Sequence, residues 1–555
     1  MDYARAAIQV AIIFGGSIGL AFLFSRFLAR MISSEATPVG NRLARVESRI
    51  FRLFGVDPQH QMDWREYTIA LLISNIVILL IVALILAIQG YLPTAPPGLG
   101  GLPPDLIFHT VSSFITGTDL QHYAGEIQLS ILSQMIAITF VMFVAPATGI
   151  AASFAFIRSF LRRSSSLGNF YVDFLRTTMF LLLPVAIISG ILLIAGGVPQ
   201  TLAYSNSLRT VTGVNQTIHM GPIASLESIK LFGNNGGGFF AANSASPFEN
   251  PGAFTNIFEI MLMISLPLAF PLAYGRLMGR GRGLALLIAM LAGLGLMFVL
   301  ALAVPSFPVG LETRFGSTGS ILFNVVSIST NTGALNSALV GMSDHTVVAL
   351  FLAMFVQAIP GADGVGLMTM IIYVILTLFI VGLMVGKTPQ FLNMKISPSD
   401  IKKAVYIFLV HPALILIPTV LAFTTGNAQA IVGSSITPLS YTQVLYEFTS
   451  AAANNGSDYF GTLANTPFWN VSTGVVMLLG RYLPLVLMLA LAGSFTLKER
   501  KMAGPEPIKT EGATFTIVLV IMIFLLTALT FFPFLVNSNR PESAEPHQRS
   551  RGSRR

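Results

Sequence analysis

The sequence of 555 residues contains no cysteine. This absence excludes disulfide bonds, thiolate metal ligands and cysteine nucleophiles together. Charged residues are also scarce, at 10% of the chain, whereas a soluble domain carries about 25%. The remaining composition is apolar, with 54% hydrophobic residues and a mean hydropathy of +0.74. The composition therefore indicates a polytopic membrane protein.

Catalytic motifs are missing as well. The sequence has no D-K-T-G phosphorylation motif, and "GLMVGKT" (Gly382–Thr388) has one residue too few between its glycines for a phosphate-binding loop. The largest cytoplasmic connection, 29–67, is too short for a nucleotide-binding domain. The histidines are scattered without the spacing of zinc ligands. We therefore expect no catalytic site and no organic cofactor, so that any ATP must be hydrolysed by a partner.

Ten apolar runs are long enough to cross a bilayer, which requires about 20 residues. They lie near 6–28, 68–90, 128–156, 178–197, 255–276, 284–304, 366–386, 404–424, 474–495 and 514–536. Four shorter apolar stretches lie near 106–116, 223–233, 320–330 and 443–453. Stretches of that length are typical of re-entrant or buried helices rather than of spanning ones.

Basic residues are distributed asymmetrically between alternate connections. Of the 32 Lys and Arg residues, 22 lie in the connections 26–65, 158–176, 276–282, 387–403 and 498–509. The opposite connections hold only Arg209, Lys230 and Arg314. Because cytoplasmic loops carry the excess of basic residues, we predict that the N- and C-termini lie outside. The asymmetry also accounts for the net charge of +8 without a nucleic-acid partner.

Each of the four short stretches ends in small polar residues. They read "SSFITGTD" (Ser112–Asp119), "LFGNNGGG" (Leu231–Gly238), "SISTNTGA" (Ser327–Ala334) and "TSAAANNGS" (Thr449–Ser457). Non-helical backbone survives in a bilayer only where protein or a water-filled path satisfies its polar groups. Four such loops around one axis form a ring of oxygens that can replace the water around a monovalent cation. Close helix packing by small residues is the alternative, but it does not require clustered Asn, Thr and Ser.

These loops lie in longer stretches, "ESIKLFGNNGGGFFAANSASPFENP", "QHYAGE", "ETRFG", "GLMVGKTPQFL", "AANNGSDYFGTLANTPFWN" and "GRYLPL". Together they resemble the potassium-binding subunit of the Kdp potassium-transporting ATPase, over nearly the whole chain. The resemblance implies a relative of Trk, Ktr and channel proteins in a prokaryotic plasma membrane, with K+ as its transported substrate. It also implies three partners: a P-type ATPase catalytic subunit, a third subunit with a single span, and often a small lipid-like fourth subunit.

The resemblance assigns a potassium filter by position. Its innermost ring is Gly117, Asn234, Thr332 and Asn454. The flanking filter residues are Thr116, Thr118, Asn235, Gly236, Asn331, Gly333, Asn455 and Gly456. Gln121 matches a glutamine at which substitutions are expected to weaken potassium affinity.

The first loop departs from the family pattern. It reads "TGTDLQ" where the family typically has T-N-T-N-W-Q. Gly117 removes one side chain from the ring, and Asp119 adds a carboxylate near the entrance. We expect this carboxylate to concentrate cations there.

Several charged or titratable residues lie within the predicted spans, where charge is costly. Asp363 follows a proline in "QAIPGADGVG" and either caps a half-helix, which we favour, or holds a cation below the filter. Arg481, expected near the outer end of the ninth helix, either limits how far potassium proceeds or anchors the structure. Glu259 is expected to face water, and His411 to lie in the core.

The predicted fold is an all-α polytopic membrane protein. It has ten transmembrane helices, arranged as four channel-like helix–pore-loop–helix repeats with one extra helix at each end. The divisions are a helix and basic loop at 1–67, repeats at 68–156, 157–276, 277–386 and 387–495, a helix at 496–536 and a basic, disordered tail at 537–555.

The predicted function is that of the potassium-selective, channel-like subunit of an ATP-driven uptake pump, itself non-catalytic. The alternative is a stand-alone Trk/Ktr-type potassium channel or ion-coupled transporter. A third hypothesis, an intramembrane enzyme, requires paired catalytic groups at a common depth, and the sequence offers none.

Overall fold

The structure is a computed structural model that describes residues 3–33, 41–96, 98–161, 166–302, 313–498 and 508–537. Within these ranges ten helices are long and apolar enough to cross a membrane, which confirms the ten predicted spans. Numbered one to ten, they are Tyr3–Ser33, Trp64–Ala87, Ile131–Leu161, Phe170–Ala195, Ala253–Met278, Arg280–Leu302, Val365–Met384, Pro398–Thr424, Pro467–Thr496 and Ala513–Asn537. The tail from residue 538 onwards lies outside the described residues.

A shorter pore helix lies between two spans in each of four places. Pore helices one to four are Pro104–Ile115, Ile223–Phe232, Gly316–Ser329 and Pro438–Ala453. Proline begins the first and the fourth, because its fixed φ suits the start of a helix and its missing N–H is not needed there. Spans two to nine thus form four channel-like repeats, and spans one and ten are the extra helices. This arrangement confirms the predicted fold class.

Span seven is preceded by a separate half-helix, Asp344–Val356. The half-helix ends where Gln357 takes a left-handed conformation, with φ of 52°. Span seven then begins after Gly364, which occupies the N-cap position with φ of 71°. The favoured prediction that Asp363 caps this helix is therefore wrong, because a glycine with φ above zero fills the capping position.

Several short elements were not predicted from the sequence. They are an amphipathic helix at Asn41–Leu53, short helices at Gly125–Gln128 and Gln429–Val432, and hairpins pairing Ser205–Arg209 with Asn215–His219 and Gln390–Phe391 with Met394–Lys395. All of them lie in the connections between the spans. Their apolar runs are too short to stand out beside the membrane helices.

A buried ion pair joins the first four spans. The guanidinium of Arg158 binds both carboxylate oxygens of Asp173, at 2.6 and 2.7 Å. The Tyr67 hydroxyl donates to the same carboxylate at 2.9 Å, and Arg158 Nε donates to the Ile32 carbonyl at 2.8 Å. A bidentate pair of this kind fixes orientation as well as distance, so it holds the first repeat against span one.

Candidate potassium filter

The four loops share one unusual backbone position. The residue just after each pore helix or its C-cap is left-handed in every repeat, with φ of 67°, 49°, 54° and 54° at Gly117, Asn234, Asn331 and Asn454. Glycine and asparagine are the residues that adopt this conformation most readily. In the third loop the residue with this conformation is Asn331, and Thr332, which the sequence assigned to the ring, is the next residue along the chain. The backbone therefore makes Asn331, rather than Thr332, the counterpart of Gly117, Asn234 and Asn454.

In three loops, the residue that follows the left-handed position directs its carbonyl oxygen towards the second loop. These oxygens come close together at Gly236. A Cβ at Gly236 would lie 2.7 Å from the Thr332 carbonyl oxygen, 2.8 Å from that of Thr118 and 3.1 Å from that of Asn455. These oxygens belong to the three other loops. All twelve filter residues assigned from the sequence are buried at this point. The loops therefore converge on one axis and do not lie dispersed around the protein.

Asparagine amides link neighbouring loops around the ring. Asn234 Nδ2 donates to the Thr332 hydroxyl at 3.0 Å, and Asn454 Nδ2 donates to the Thr118 hydroxyl at 2.9 Å. Asn331 Nδ2 donates to the Ala453 carbonyl at 3.1 Å. With the amide nitrogens engaged in the protein, each side chain keeps a carbonyl oxygen available. The pore helices add to the negative potential, because their C-terminal ends point at the ring.

Gln121 connects the first loop to the second. Its Oε1 accepts from the Gly238 N–H at 2.9 Å, and its Nε2 donates to the Gly238 carbonyl at 3.1 Å. The side chain thereby pairs with the backbone as a neighbouring strand would. A substitution here displaces the loop that carries Gly236, which gives a physical reason for the predicted loss of affinity.

We expect Gln121→Arg to raise the potassium concentration for half-maximal potassium uptake about tenfold, equivalent to about 1.4 kcal/mol. The arginine loses the acceptor for Gly238 and adds a positive charge beside the ion path. Gln121→Glu keeps the acceptor and loses the donor. Its half-saturating potassium concentration should therefore lie between those of the unmodified protein and of Gln121→Arg. Gln59→Arg, at an exposed position, is the matched control. Unchanged half-saturation in Gln121→Arg would remove Gln121 from the site.

A buried ion cluster supports the second loop. Lys230 Nζ lies 2.6 Å from Glu227 Oε2 and 2.8 Å from Glu249 Oε2, and it donates to Ser244 Oγ at 2.9 Å. Glu249 also accepts from the Phe240 N–H at 2.8 Å, which fixes the chain just after the three glycines. Burial by itself lowers the pKa of Lys230, but the two carboxylates outweigh it and raise the pKa above its ordinary value. The lysine therefore stays charged.

This cluster is a functional feature that was not predicted from the sequence, where Lys230 stands out only as a basic residue on the outer side. The spacing of Glu227 and Lys230 on one helix was the available signal, because residues three apart lie on the same face. The expectation that Glu259 faces water is also wrong, since its side chain is fully buried.

Two histidines anchor the first loop. His109 and His122 stack with ring centroids 3.7 Å apart. His109 Nε2 lies 3.1 Å from the Leu120 carbonyl oxygen, and His122 Nδ1 lies 2.8 Å from Asn470 Oδ1 in span nine. Burial lowers the pKa of His122 to about 4, so this ring is neutral at physiological pH. In the described part of the chain no three His, Asp or Glu side chains form a metal-binding group.

A cavity of about 450 Å³ opens on one side of the ring, and we call it the mouth. It is lined by Asp119, Gln121 and Asp458, together with the glycines of three loops. The Asp119 carboxylate is fully buried, and neither oxygen has a hydrogen-bond partner in the described part of the structure. The predicted accessory residues Asp119 and Gln121 therefore both lie at the mouth.

A second cavity, of about 60 Å³, lies on the opposite side of the ring, and we call it the chamber. It is lined by the four left-handed residues and also by Asp363, Arg481 and His411. Arg481 lies in the middle of span nine and not near its end, and its Nη2 donates to the Ala145 carbonyl at 3.1 Å. The predicted depth of Arg481 was wrong because the polar start of span nine hid its first turns. His411 is a chamber-lining rather than a core residue.

Sequence comparisons identify relatives of the whole chain. The family model described as "Potassium-transporting ATPase A subunit" matches residues 11–540. The potassium-transporting ATPase potassium-binding subunit of Alicyclobacillus acidocaldarius is 41% identical over 532 residues, which cover 93% of each chain. The protein of the same name from Clostridium acetobutylicum is 42% identical, covering 95% of this chain and 97% of its own.

A solved structure shares the fold. The potassium transporter TrkH from Vibrio parahaemolyticus matches with a TM-score of 0.51 and 14% sequence identity, covering 89% of this chain and all of TrkH. At this level of identity the likeness concerns the fold alone.

Proposed function

Because this chain belongs to the family of potassium-transporting ATPase A subunits, we propose that its four loops form a filter that takes up extracellular K+ for an ATP-driven pump. Family and fold together make the chain the channel-like, potassium-binding subunit of a Kdp complex, with K+ as its transported substrate. It is a multi-pass membrane protein. We propose, beyond family membership, which residues form the filter, in which direction potassium moves and that it passes to the ATPase.

The convergence of carbonyl oxygens at Gly236 is the observation that supports this proposal most. A dehydrated potassium ion needs several oxygens that replace its hydration shell. Oxygens of Thr118, Thr332 and Asn455 approach the Gly236 position from three loops, and the second loop supplies a fourth backbone. Rings of this kind suit a monovalent cation, because they offer neutral dipoles instead of several carboxylates.

We assign ATP hydrolysis to a P-type ATPase catalytic subunit, since the sequence of this chain lacks the phosphorylation motif. The proposed complex also contains a third subunit with a single span, together with a small lipid-like fourth one. The proposed location is the plasma membrane of a prokaryotic cell, with both termini outside, because the basic connections then face the cytoplasm.

The test is potassium-stimulated ATPase activity of the purified complex, measured with and without this chain. Stimulation at low potassium that requires this chain supports the proposal. If the chain alone, in liposomes, conducts potassium at the rate of a channel and the complex shows no ATP-driven uptake, the stand-alone channel is the correct function.

We expect Asp119→Asn to raise the half-saturating potassium concentration by about three- to tenfold at low and high salt alike, because salt screens a buried carboxylate much less than an exposed one. The measurement is the half-saturating potassium concentration at two ionic strengths, set with a large cation that the filter excludes. Asp344→Asn makes the same charge change at an exposed residue outside the mouth and should have no effect. An unchanged half-saturating concentration in Asp119→Asn, or a defect that high salt abolishes, would contradict the role of a buried charge at the mouth.

A further inference from the structure

Asp363 is a buried acid that the filter does not use. Its side chain is 3% exposed, and neither carboxylate oxygen has a hydrogen-bond partner in the described part of the structure. Gly364 occupies the capping position of span seven, so Asp363 has no role as a cap. Leaving a carboxylate buried without a hydrogen bond or a close ion pair costs several kcal/mol, so a cation bound beside Asp363 would stabilise it.

Other unpartnered oxygens line the same chamber. The side-chain oxygens Oδ1 of Asn234, Asn235 and Asn331 are buried and accept no hydrogen bond among the described residues. The Asn235 oxygen lies 3.6 Å from the position that a Cβ at Gly117 would take. Three asparagines with unpartnered amide oxygens and one aspartate with an unpartnered carboxylate thus line one small cavity. Oxygen donors of this kind are the ligands of hard, unpolarisable cations.

Arg481 sets the charge balance of the chamber. It lines the cavity and donates to the Ala145 carbonyl, and a Cβ at Gly149 would lie 2.7 Å from its Nη2, so the glycine makes room for it. No ion pair within 4 Å joins Arg481 to Asp363 among the described residues. One carboxylate opposite one guanidinium leaves the chamber neutral, which suits a single monovalent ion better than a divalent one.

We propose that Asp363, with the side-chain oxygens of Asn234 and Asn331, forms a second monovalent-cation site in the chamber, immediately beyond the filter. The site holds one potassium ion that keeps part of its water shell, because the chamber of about 60 Å³ has room for the ion and few waters. Arg481 keeps a second cation out of the chamber by repulsion. This inference rests on the proposed function, since the ion must first pass the filter.

The test compares the intact complex with Asp363→Asn, which has nearly the same size and removes only the charge. Thallium ion serves as the probe, because it replaces potassium and is located by its scattering. We expect thallium density in both filter and chamber of the unmodified complex, and loss of the chamber density alone in the variant. Transport turnover should fall about tenfold, a factor equivalent to about 1.4 kcal/mol, with the half-saturating potassium concentration changed less than about threefold.

Two further variants make the outcome decisive. Asp363→Glu should restore the chamber ion in part, because it returns the carboxylate. Asp344→Asn, at an exposed residue outside the chamber, should keep both densities. Chamber density that persists in Asp363→Asn overturns the inference while leaving the filter intact. Absence of thallium from the filter of the unmodified complex refutes the proposed function instead.

Discussion

Gly236→Ala is expected to abolish potassium-stimulated ATPase activity at concentrations that saturate the unmodified complex. The added methyl group would lie 2.7 to 3.1 Å from carbonyl oxygens of three other loops. Such oxygens cannot withdraw without moving the backbone of the ring. The methyl group also takes the space in which an ion contacts these oxygens, so the smallest side chain that can be added removes the site.

The control for this substitution is Gly100→Ala. Gly100 has no atom within 4 Å of its added Cβ and no positive φ, so the same chemical change is tolerated there. Size-exclusion chromatography should show that the Gly236→Ala complex still assembles. Potassium activation at ordinary concentrations in an assembled Gly236→Ala complex is incompatible with a filter at this position.

Lys230→Met is expected to have the second large effect, on folding as well as on affinity. It leaves the carboxylates of Glu227 and Glu249 buried without their cation, which destabilises a protein by about 3–5 kcal/mol. Because Glu249 also binds the Phe240 N–H, the loop that carries Gly236 loses its support. We expect a lower thermal unfolding temperature and a poor yield of assembled complex.

A compensating variant distinguishes the loss of charge neutralisation in the cluster from a simple loss of packing. Lys230→Met combined with Glu227→Gln and Glu249→Gln removes all three charges and keeps their volumes, so it should recover much of the lost stability. Lys402→Met, at an exposed lysine, is the single-site control and should behave as the unmodified protein. If the triple variant is no more stable than Lys230→Met, the ion cluster is not what holds the loop.

The wrong expectation for the depth of Arg481 arises from the sequence at the start of span nine. Arg481 is expected near a helix end only because "PFWNVST" is too polar to stand out as membrane helix. In the structure Asn470 and Thr473 of that stretch meet His122 and His109. The partners come from a segment more than 300 residues away, so no local pattern reveals them. The expectation for Glu259 fails because its side chain is buried by tertiary packing, which no local pattern shows.

The third loop shows a second limit of prediction from the sequence. "STNTGA" offers Asn331 and Thr332 as neighbouring candidates for one ring position, and a resemblance that aligns letters cannot choose between them. The backbone conformation distinguishes the two candidates, because Asn331 is left-handed, as Gly117, Asn234 and Asn454 are.

Hydropathy alone determined the ten spans, since crossing a bilayer requires long apolar helices whatever their neighbours are. The repeated small polar loops likewise determined that the chain has four equivalent interruptions, because helix-breaking residues act locally. Only the tertiary structure decided that the four interruptions meet on one axis, that Lys230 sits between two glutamates and that Asp363 faces a chamber. These contacts join segments far apart in the chain, and their energies depend on distances that no stretch of sequence contains.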